Sequence, residues 1–338
     1  MRYKDKKILV IGGTGTVGGK IVEELLKQEP AVIRILSRDE YKQFLIGNTL
    51  RNQKNIRLLI GDVRDYDRVE RACRDIDIVF NLAAMKHVPA CEYNPTEAMK
   101  TNIIGMDNVI KAARNHNVER VLFTSSDKAI NPTNVYGATK LLAERITQAA
   151  NFSRGSAQTK FVVVRFGNVM GSRGSIIPLF EKQILEQRKI TVTDLNMSRF
   201  MMTLTQAAAL TMQAAENCLG GEIFILKMPV IRLRDLAEVV IEETCKKHGI
   251  DQQEIKIETI GMRPGEKLYE ELMTEEESKF AFDLEKMYAV CPVTYETEKF
   301  RDFYKGCRAA GIGSYCSHHM EPITREEIRA LLHEEGIL

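Results

Sequence analysis

The chain has 338 residues, of which 44% are hydrophobic and 28% charged, and its formal net charge is +2. This balance gives no reason to expect nucleic acid or an anionic membrane as the main partner. Seven cysteines, an odd number scattered through a long chain, are typical of reduced cytosolic thiols rather than a disulfide framework. The charged N-terminus leads directly into a strand, and no stretch is apolar enough to span a bilayer, so we expect a cytoplasmic protein.

The first predicted unit is a strand, a glycine-rich turn and a helix. Residues 8–11 form a short apolar run that predicts a buried parallel strand, and the turn at 12–18 precedes a helix with one apolar face. Glycines let the backbone turn tightly and approach a pyrophosphate at the helix N-terminus. The predicted dinucleotide contacts in this turn are Gly12, Gly15, Thr16, Val17 and Gly18.

The end of the second predicted strand, at 32–36, bears on the choice of cofactor. An arginine after this strand accommodates a 2′-phosphate, whereas a carboxylate holds a ribose 2′-hydroxyl. Ser37, Arg38 and Lys42 therefore favour NADP. NAD remains the alternative, because Asp39 lies in the same segment.

The third and fourth predicted strands, at 56–60 and 77–82, end where ligands of open α/β sheets bind. An acidic side chain after the third strand can accept a hydrogen bond from adenine, or it can cap the next helix. Small residues after the fourth strand let a cofactor pass close to the backbone. Five residues that follow these strands are predicted to contact the cofactor: Asp62, Val63, Ala83, Ala84 and Lys86.

A fifth predicted strand, at 120–124, leads into a polar segment with two charged pairs. Tyr136 and Lys140 are four residues apart at the start of a helix, so they project from one face. An ammonium group beside a phenol stabilises the phenolate, and we expect Lys140 to lower the pKa of Tyr136 toward neutrality. Such a tyrosine can take a proton from a sugar hydroxyl, although the spacing also occurs on ordinary surface helices.

The order of strands and helices predicts an α/β fold with a Rossmann-type doubly wound parallel sheet in residues 1–170. Residues 171–338 are expected to form a smaller substrate-binding region with a C-terminal tail, some segments of which return to the sheet. Three loops carry arginines suited to a diphosphate, Arg173, Arg199 and Arg263. The cysteines and histidines at 307–319 fit no established zinc spacing, so no metal site is predicted.

Five further motifs occur in one order along residues 6–290. They are Ala83-Ala84-Met85-Lys86-His87-Val88-Pro89, Ser126-Asp127-Lys128-Ala129, Asn131-Pro132-Thr133-Asn134, Gly167-Asn168-Val169 with Gly171-Ser172-Arg173-Gly174-Ser175, and Arg263-Pro264-Gly265-Glu266-Lys267. With Tyr136 and Lys140, the chain resembles the extended short-chain dehydrogenase/reductase superfamily. Within it, the chain is most similar to the UDP-N-acetylglucosamine 4,6-dehydratases of polysaccharide and nonulosonate biosynthesis. Larger relatives carry an N-terminal membrane region, which we do not expect in this chain.

The resemblance implies a reaction and a role for each polar group. Tyr136, with Lys140, is expected to take the C4 hydroxyl proton while hydride passes to NADP, and Ser125 or Ser126 is expected to hydrogen-bond the C4 oxygen. Asp127 is the expected acid at the C6 hydroxyl and Lys128 the expected base at C5. The implied substrate contacts are Lys86, Asn168, Arg173, Ser175, Arg199, Arg263 and Glu266. Family members also form dimers or larger assemblies, so we expect a homo-oligomer.

Two other functions remain open. A nucleotide-sugar 4-epimerase shares the glycine turn, Tyr136 and Lys140, but it catalyses no elimination and does not need the Asp127–Lys128 pair. A non-catalytic NADP-binding regulatory protein needs none of these polar groups for catalysis. The nucleotide base and the stereochemistry at C5 are also open, because residue identity alone determines neither.

Overall fold

A computed structural model describes residues 2–153, 155–172, 174–262, 265–292 and 297–338. The strands are β1 (Lys7–Ile11), β2 (Val32–Ser37), β3 (Ile56–Ile60), β4 (Ile78–Asn81), β5 (Arg120–Ser126), β6 (Lys160–Phe166), β7 (Asn168–Val169), β8 (Lys189–Val192), β9 (Ser198–Met202), β10 (Ile223–Leu226), β11 (Val230–Arg232), β12 (Lys256–Thr259), β13 (Glu271–Met273), β14 (Ala281–Asp283), β15 (Met287–Val290), β16 (Arg308–Ala309) and β17 (Tyr315–Cys316). The helices are α1 (Thr16–Leu26), α2 (Glu40–Thr49), α3 (Tyr66–Cys73), α4 (Val88–Tyr93), α5 (Pro95–Met99), α6 (Gly105–Asn115), α7 (Val135–Phe152), α8 (Ile176–Gln187), α9 (Leu204–Glu216), α10 (Leu233–His248), α11 (Glu275–Ser278), α12 (Thr297–Phe303) and α13 (Arg325–Glu334).

In the described ranges, ten strands form one sheet in the order β16-β14-β15-β10-β6-β5-β4-β1-β2-β3. The strands from β10 to β3 run parallel, and β1 lies between β2 and β4. The strand order therefore reverses beside β1, and ligands of such sheets bind at this point, outside the carboxyl ends of the strands. The predicted Rossmann-type α/β fold is confirmed.

The second half of the chain contributes to the same sheet. β10 pairs in parallel with β6, and β15 and β14 extend the sheet as antiparallel strands. Residues of α8, α10 and α13 also pack a second apolar core, in which Phe180, Leu236 and Ile328 are fully buried. The expected return of later segments to the sheet is observed, whereas a domain boundary at residue 170 stays a prediction. Among the described residues, no helix combines the length and apolarity needed to cross a bilayer.

Two elements differ from their predicted bounds. β5 continues to Ser126, two residues beyond the predicted end, because Ser125 and Ser126 pair with Arg165 and Phe166 of β6. The apolar periodicity of residues 95–115 predicts one continuous helix, whereas the structure has a π-helical turn at Lys100–Ile104 between α5 and α6. A segment rich in hydroxyl side chains is usually predicted as a loop. Here the pairing with β6 keeps Ser125 and Ser126 in a strand at the end of the sheet.

A buried ion pair joins β6 to two helices. Arg165 is fully buried, and its guanidinium donates to both carboxylate oxygens of Glu144, at 3.0 and 2.7 Å. The same guanidinium donates to Glu277 at 2.9 Å and to the carbonyl of Leu272 at 2.9 Å. Glu277 also closes the capping box at the start of α11. Arg165 thus connects β6, α7 and α11.

We expect Glu144→Ala to lower the free energy of unfolding by about 3–5 kcal/mol, because it leaves a buried guanidinium with only part of its compensating charge. Chemical denaturation measures the change. The control is Asp107→Ala, which removes an exposed ion pair with Lys111 and should cost about 1 kcal/mol or less. Equal, small effects of the two substitutions would contradict a stabilising role for the buried pair.

Candidate functional site

The glycine turn between β1 and α1 is too closely packed for side chains at two positions. Gly12 has φ +82, and a Cβ built there would lie 2.9 Å from the backbone nitrogen of Ala83. A Cβ on Gly18 would lie 2.5 Å from the carbonyl oxygen of Gly12. The turn therefore brings the backbone of α1 close to the ends of β1 and β4, which is the geometry that a dinucleotide site requires.

The N-terminus of α1 is suited to an anion. Gly15 is the N-cap residue of α1. Within residues 2–153, no side chain makes a capping hydrogen bond at this terminus. The first turn of α1, which begins at Thr16 and Val17, contains no acidic residue. The partial positive charge of the helix terminus is thus not neutralised by a side chain. The glycine turn and this terminus fit the diphosphate of NAD or NADP.

The residues predicted to discriminate between NADP and NAD lie at and after the end of β2. The hydroxyl of Ser37 lies 2.8 Å from that of Thr14, which connects it to the glycine turn. Arg38 is mostly exposed, with its guanidinium 3.9 Å from Asp62. Asp62 is held more closely by Arg64, whose Nη2 donates to its carboxylate at 2.7 Å. Arg38 is thus the accessible cation at this strand end.

Lys42 and Asp39 are engaged with each other at the start of α2. The ammonium of Lys42 lies 2.9 Å from Asp39, and the Asp39 carboxylate caps α2 by accepting from the Lys42 backbone N–H. A helix cap and an ion pair thus account for Asp39. The evidence for a 2′-phosphate contact rests on Arg38 more than on Lys42.

The other predicted cofactor residues fall into two groups. Ala83 and Ala84 are half-buried next to the glycine turn, and Lys86 is exposed beyond them. Val63 is buried, and a Cβ on Gly105 would meet its side chain at 2.7 Å. Val63 therefore packs β3 against α6, and any contact with a cofactor would come from its backbone.

Tyr136 and Lys140 lie on the same face of α7, and both are buried. The Lys140 ammonium donates to the carbonyl of Thr124 at 2.5 Å and lies 4.2 Å from the centre of the Phe123 ring. Burial lowers the pKa of Lys140 to about 7, although the nearby carboxylate of Glu144 opposes the shift. Burial thus disfavours the charged form of Lys140.

The prediction that Lys140 lowers the pKa of Tyr136 is wrong for this structure. Burial raises the pKa of Tyr136 to about 12, because a phenolate in an apolar environment loses its hydration. The charge of Lys128 and a hydrogen bond with Ser126 oppose this rise. Lys128, not Lys140, is the cation that favours the phenolate.

Asp127 and Lys128 form a close ion pair at the carboxyl end of β5. The Lys128 ammonium donates to the two carboxylate oxygens of Asp127 at 2.9 and 3.2 Å, and Ser126 Oγ donates to Asp127 at 2.7 Å. The side chain of Asp127 is only 4% exposed, whereas that of Lys128 is 33% exposed. The buried carboxylate distinguishes this pair from ordinary surface ion pairs.

A second carboxylate, Glu270, reaches the same lysine from the C-terminal half. Its Oε1 lies 3.9 Å from the Lys128 ammonium, and its side chain is 7% exposed. Burial acts to lower the pKa of Lys128, but the carboxylates of Asp127 and Glu270 more than offset it and raise that pKa above its usual range. Lys128 is therefore an ammonium at neutral pH.

The sequence analysis did not find Glu270. It precedes Glu271 just before β13, and two adjacent acidic residues are typical of an exposed segment. In the structure only Glu271 faces outward, because Ser317 Oγ accepts from the Glu270 N–H at 2.9 Å and the Glu270 carboxylate turns inward. The alternation of inward and outward side chains along a strand could have indicated that Glu270 faces inward. β13 is too short to show that alternation in the sequence.

Two predicted substrate residues are engaged by the protein itself. Asn168 Nδ2 donates to both oxygens of Glu270 at 2.9 Å. Arg199 lies 3.4 Å from Glu270 and donates to the carbonyls of Lys267 and Leu268 at 3.0 and 3.2 Å. These contacts orient Glu270 and its loop, so a contact of either side chain with substrate remains a prediction.

The remaining predicted substrate residues lie on loops. Ser175 is the N-cap of α8, and its buried hydroxyl has no partner among the described residues. Glu266 is half-buried in the loop that leads to Glu270. Arg173 and Arg263 lie outside the described residues.

The loop at 265–267 docks on the loop that follows β5. The Lys267 ammonium donates to the carbonyls of Ile130 and Asn131 at 2.9 and 2.8 Å. The carbonyl of Gly265 accepts from the Thr133 hydroxyl at 3.0 Å. These bonds hold the segment that leads to Glu270 against the loop that follows the Asp127–Lys128 pair.

The cysteines and histidines of the tail do not converge. Cys316 is buried in β17, Cys307 is exposed, and the His318 ring lies 5.6 Å from that of Tyr269. Across the described ranges, no group of three His, Cys, Asp or Glu side chains is arranged to hold a metal ion.

Comparison with known proteins places this site in a family. Residues 8–292 match the family model described as polysaccharide biosynthesis protein. An X-ray structure of Pen from Bacillus thuringiensis is 54% identical, with a TM-score of 0.93 and complete coverage of both chains. A UDP-N-acetylglucosamine 4,6-dehydratase (inverting) from Campylobacter jejuni subsp. jejuni serotype O:2 is 42% identical over 89% of this chain and 87% of its own.

A relative with a different activity is also similar along the whole chain. A UDP-glucose 4-epimerase from Rickettsia bellii is 38% identical over 98% of this chain and 96% of its own. Both relatives are named for reactions of nucleotide sugars. The resemblance identified from the sequence motifs is therefore confirmed at the level of nucleotide-sugar enzymes. The chain belongs to the polysaccharide biosynthesis protein family, and its relatives at 38% and 42% identity are named as a nucleotide-sugar epimerase and a nucleotide-sugar dehydratase.

Proposed function

We propose that the protein is a nucleotide-sugar 4,6-dehydratase that converts UDP-N-acetylglucosamine to a UDP-4-keto-6-deoxy-N-acetylhexosamine. The observation that supports this most directly is the buried Asp127–Lys128 ion pair beside Tyr136. A dehydratase needs an acid and a base around C5 and C6 in addition to the group that deprotonates the C4 hydroxyl. The similarity to a relative named as a 4,6-dehydratase supports the same choice.

In the first step Tyr136 acts as a phenolate, a form that the charge of Lys128 favours, and takes the C4 hydroxyl proton to become a phenol. When bound, NADP or NAD would accept hydride from C4 and return it to C6. Ser126 is proposed to orient the C4 oxygen, and Ser125, whose buried hydroxyl has no partner among the described residues, is proposed for the same task. Oxidation at C4 makes the C5 hydrogen acidic.

The elimination uses a proton that the ion pair already holds. Transfer of one proton from the Lys128 ammonium to the Asp127 carboxylate, across 2.9 Å, gives an amine and a carboxylic acid. The amine then takes the C5 proton, and the acid protonates the leaving C6 hydroxyl to give water. Both groups are thereby returned to their starting charges, which satisfies the proton balance without another acid or base.

We propose NADP as the cofactor, with NAD as the alternative, because Arg38 is the accessible cation at the end of β2. The nucleotide sugar would lie between the two halves, in contact with Lys86, Ser175 and Glu266. Arg173 and Arg263 are further proposed contacts for its diphosphate. The enzyme is proposed to act as a homo-oligomer in the cytoplasm.

A 4-epimerase is the second candidate, and the similarity to the Rickettsia bellii protein over nearly the whole chain favours it. An epimerase would use Tyr136 at C4 and leave C5 and C6 unchanged. A non-catalytic NADP-binding regulatory protein is supported less, because Asp127, Lys128 and Tyr136 are held together in a cleft rather than dispersed.

Incubation with UDP-N-acetylglucosamine in deuterated water should give a 4-keto-6-deoxy product that carries deuterium at C5. Proton NMR would show loss of the C5 signal and a new C6 methyl signal. UDP-N-acetylgalactosamine as the sole product would establish the epimerase instead. If UDP-N-acetylglucosamine is not converted although the cofactor binds, the result would favour the regulatory protein.

We expect Lys128→Ala to reduce dehydration and C5 exchange by about a hundredfold or more, because it removes the base of the elimination. NMR in deuterated water measures both. Lys111→Ala, at an exposed ion pair on α6, is the control and should behave like the parental protein. Dehydration at the parental rate in Lys128→Ala would show that another group is the base.

We expect Arg38→Ala to weaken NADP binding by about tenfold and to change NAD binding little, since only NADP carries the 2′-phosphate. Fluorescence titration with each nucleotide gives the two dissociation constants. The control is Arg57→Ala in β3, whose guanidinium donates to the carbonyls of Lys54 and Ile56. Equal weakening of both nucleotides would assign the preference to another residue.

A further inference from the structure

Glu270 is the one buried carboxylate that the C-terminal half brings to Lys128 in the described residues. Its Oε2 accepts from the Phe200 backbone N–H at 2.9 Å, and both oxygens accept from Asn168 Nδ2. The amide of Asn168 is oriented by a further bond to the carbonyl of Phe200 at 3.0 Å, so its donor, not its acceptor, faces Glu270. An environment made of donors favours an ionised carboxylate.

The charged and titratable groups around this position come from three elements. Asp127 and Lys128 lie in the 3₁₀ turn after β5, and Tyr136 lies on α7. Arg199 lies on β9 and approaches Glu270 at 3.4 Å. Burial and the charge of Asp127 raise the pKa of Glu270, while Lys128 and Arg199 oppose this rise. The two cations and the hydrogen-bond donors favour the ionised form of Glu270, against the effects of burial and of Asp127.

We propose that Glu270 is a positioning residue that holds the Lys128 ammonium between two carboxylates and sets the pH at which Lys128 gives up its proton. Its carboxylate oxygen is 3.9 Å from the ammonium, against 2.9 Å for Asp127. Glu270 is buried away from the cleft surface, so it acts through Lys128 rather than on the sugar. Nothing in the sequence motifs distinguishes it from its neighbour Glu271.

The physical consequence is a bias on the proton transfer within the Asp127–Lys128 pair. A negative charge near Lys128 stabilises the ammonium relative to the amine. Two unit charges at 4 Å interact strongly enough, even with an effective dielectric constant of about 20, to shift a pKa by about one unit or more. Loss of the Glu270 charge should therefore let Lys128 become neutral at lower pH.

The test follows the protonation of Lys128 and does not depend on turnover. Trace acetylation of the full-length protein at a series of pH values, read by peptide mass spectrometry, gives the pH midpoint at which Lys128 becomes reactive. In the parental protein this midpoint should lie above about 10.4, the value of an unperturbed lysine. In Glu270→Gln it should fall by about one pH unit or more.

Two variants serve as controls. Glu271→Gln alters a neighbouring carboxylate that accepts from Asn131 Nδ2 at 3.0 Å, and it should leave the Lys128 midpoint unchanged. Glu270→Asp keeps the charge and should retain a midpoint close to the parental one. An unchanged midpoint in Glu270→Gln, or an equal fall in Glu271→Gln, would overturn the inference.

The parental measurement keeps the inference falsifiable even if Glu270→Gln does not fold. A parental midpoint at or below that of an ordinary lysine would by itself overturn it. The chemical meaning of the inference rests on the proposed function, because it concerns the proposed base. If the labelling behaves as expected but no dehydration occurs, the proposed function fails and the assignment of Glu270 stands.

Discussion

The electrostatics of the cleft depend on one ammonium group held between two carboxylates. Asp127 adjoins Lys128 in the chain, but Glu270 lies more than 140 residues further on and reaches it at 3.9 Å. The charge state of Lys128 therefore depends on how the C-terminal half docks against the Rossmann-type sheet. Residues from both halves of the chain therefore form the polar site.

The docking itself is largely a main-chain interaction. Lys267 donates to the carbonyls of Ile130 and Asn131, while Arg199 holds the carbonyls of Lys267 and Leu268. Cations that the sequence would assign to a diphosphate or to solvent here satisfy backbone acceptors in a loop. These bonds give the loop a defined path and so help to define where Glu270 points.

The sequence predicted the features that depend on local pattern. The apolar run of β1, the glycine turn and the spacing of Tyr136 and Lys140 each follow from a few neighbouring residues, and the fold class was confirmed. Three features were not predictable in this way. The ion pair of Arg165 with Glu144, the inward side chain of Glu270 and the raised pKa of Tyr136 all depend on burial by distant segments. Local pattern indicates which groups are polar, but not which of them lose contact with water.

The raised pKa of Tyr136 bears on the order of events in the proposed reaction. A buried phenol gives up its proton more easily while the nearest cation, Lys128, is still charged. The elimination requires the opposite state, in which Lys128 has passed its proton to Asp127. Lys128 must therefore be an ammonium during oxidation at C4 and an amine during removal of the C5 proton. The carboxylates of Asp127 and Glu270 favour the ammonium at rest, so the pair starts in the state that oxidation needs, and elimination follows once the 4-ketone has made the C5 hydrogen acidic.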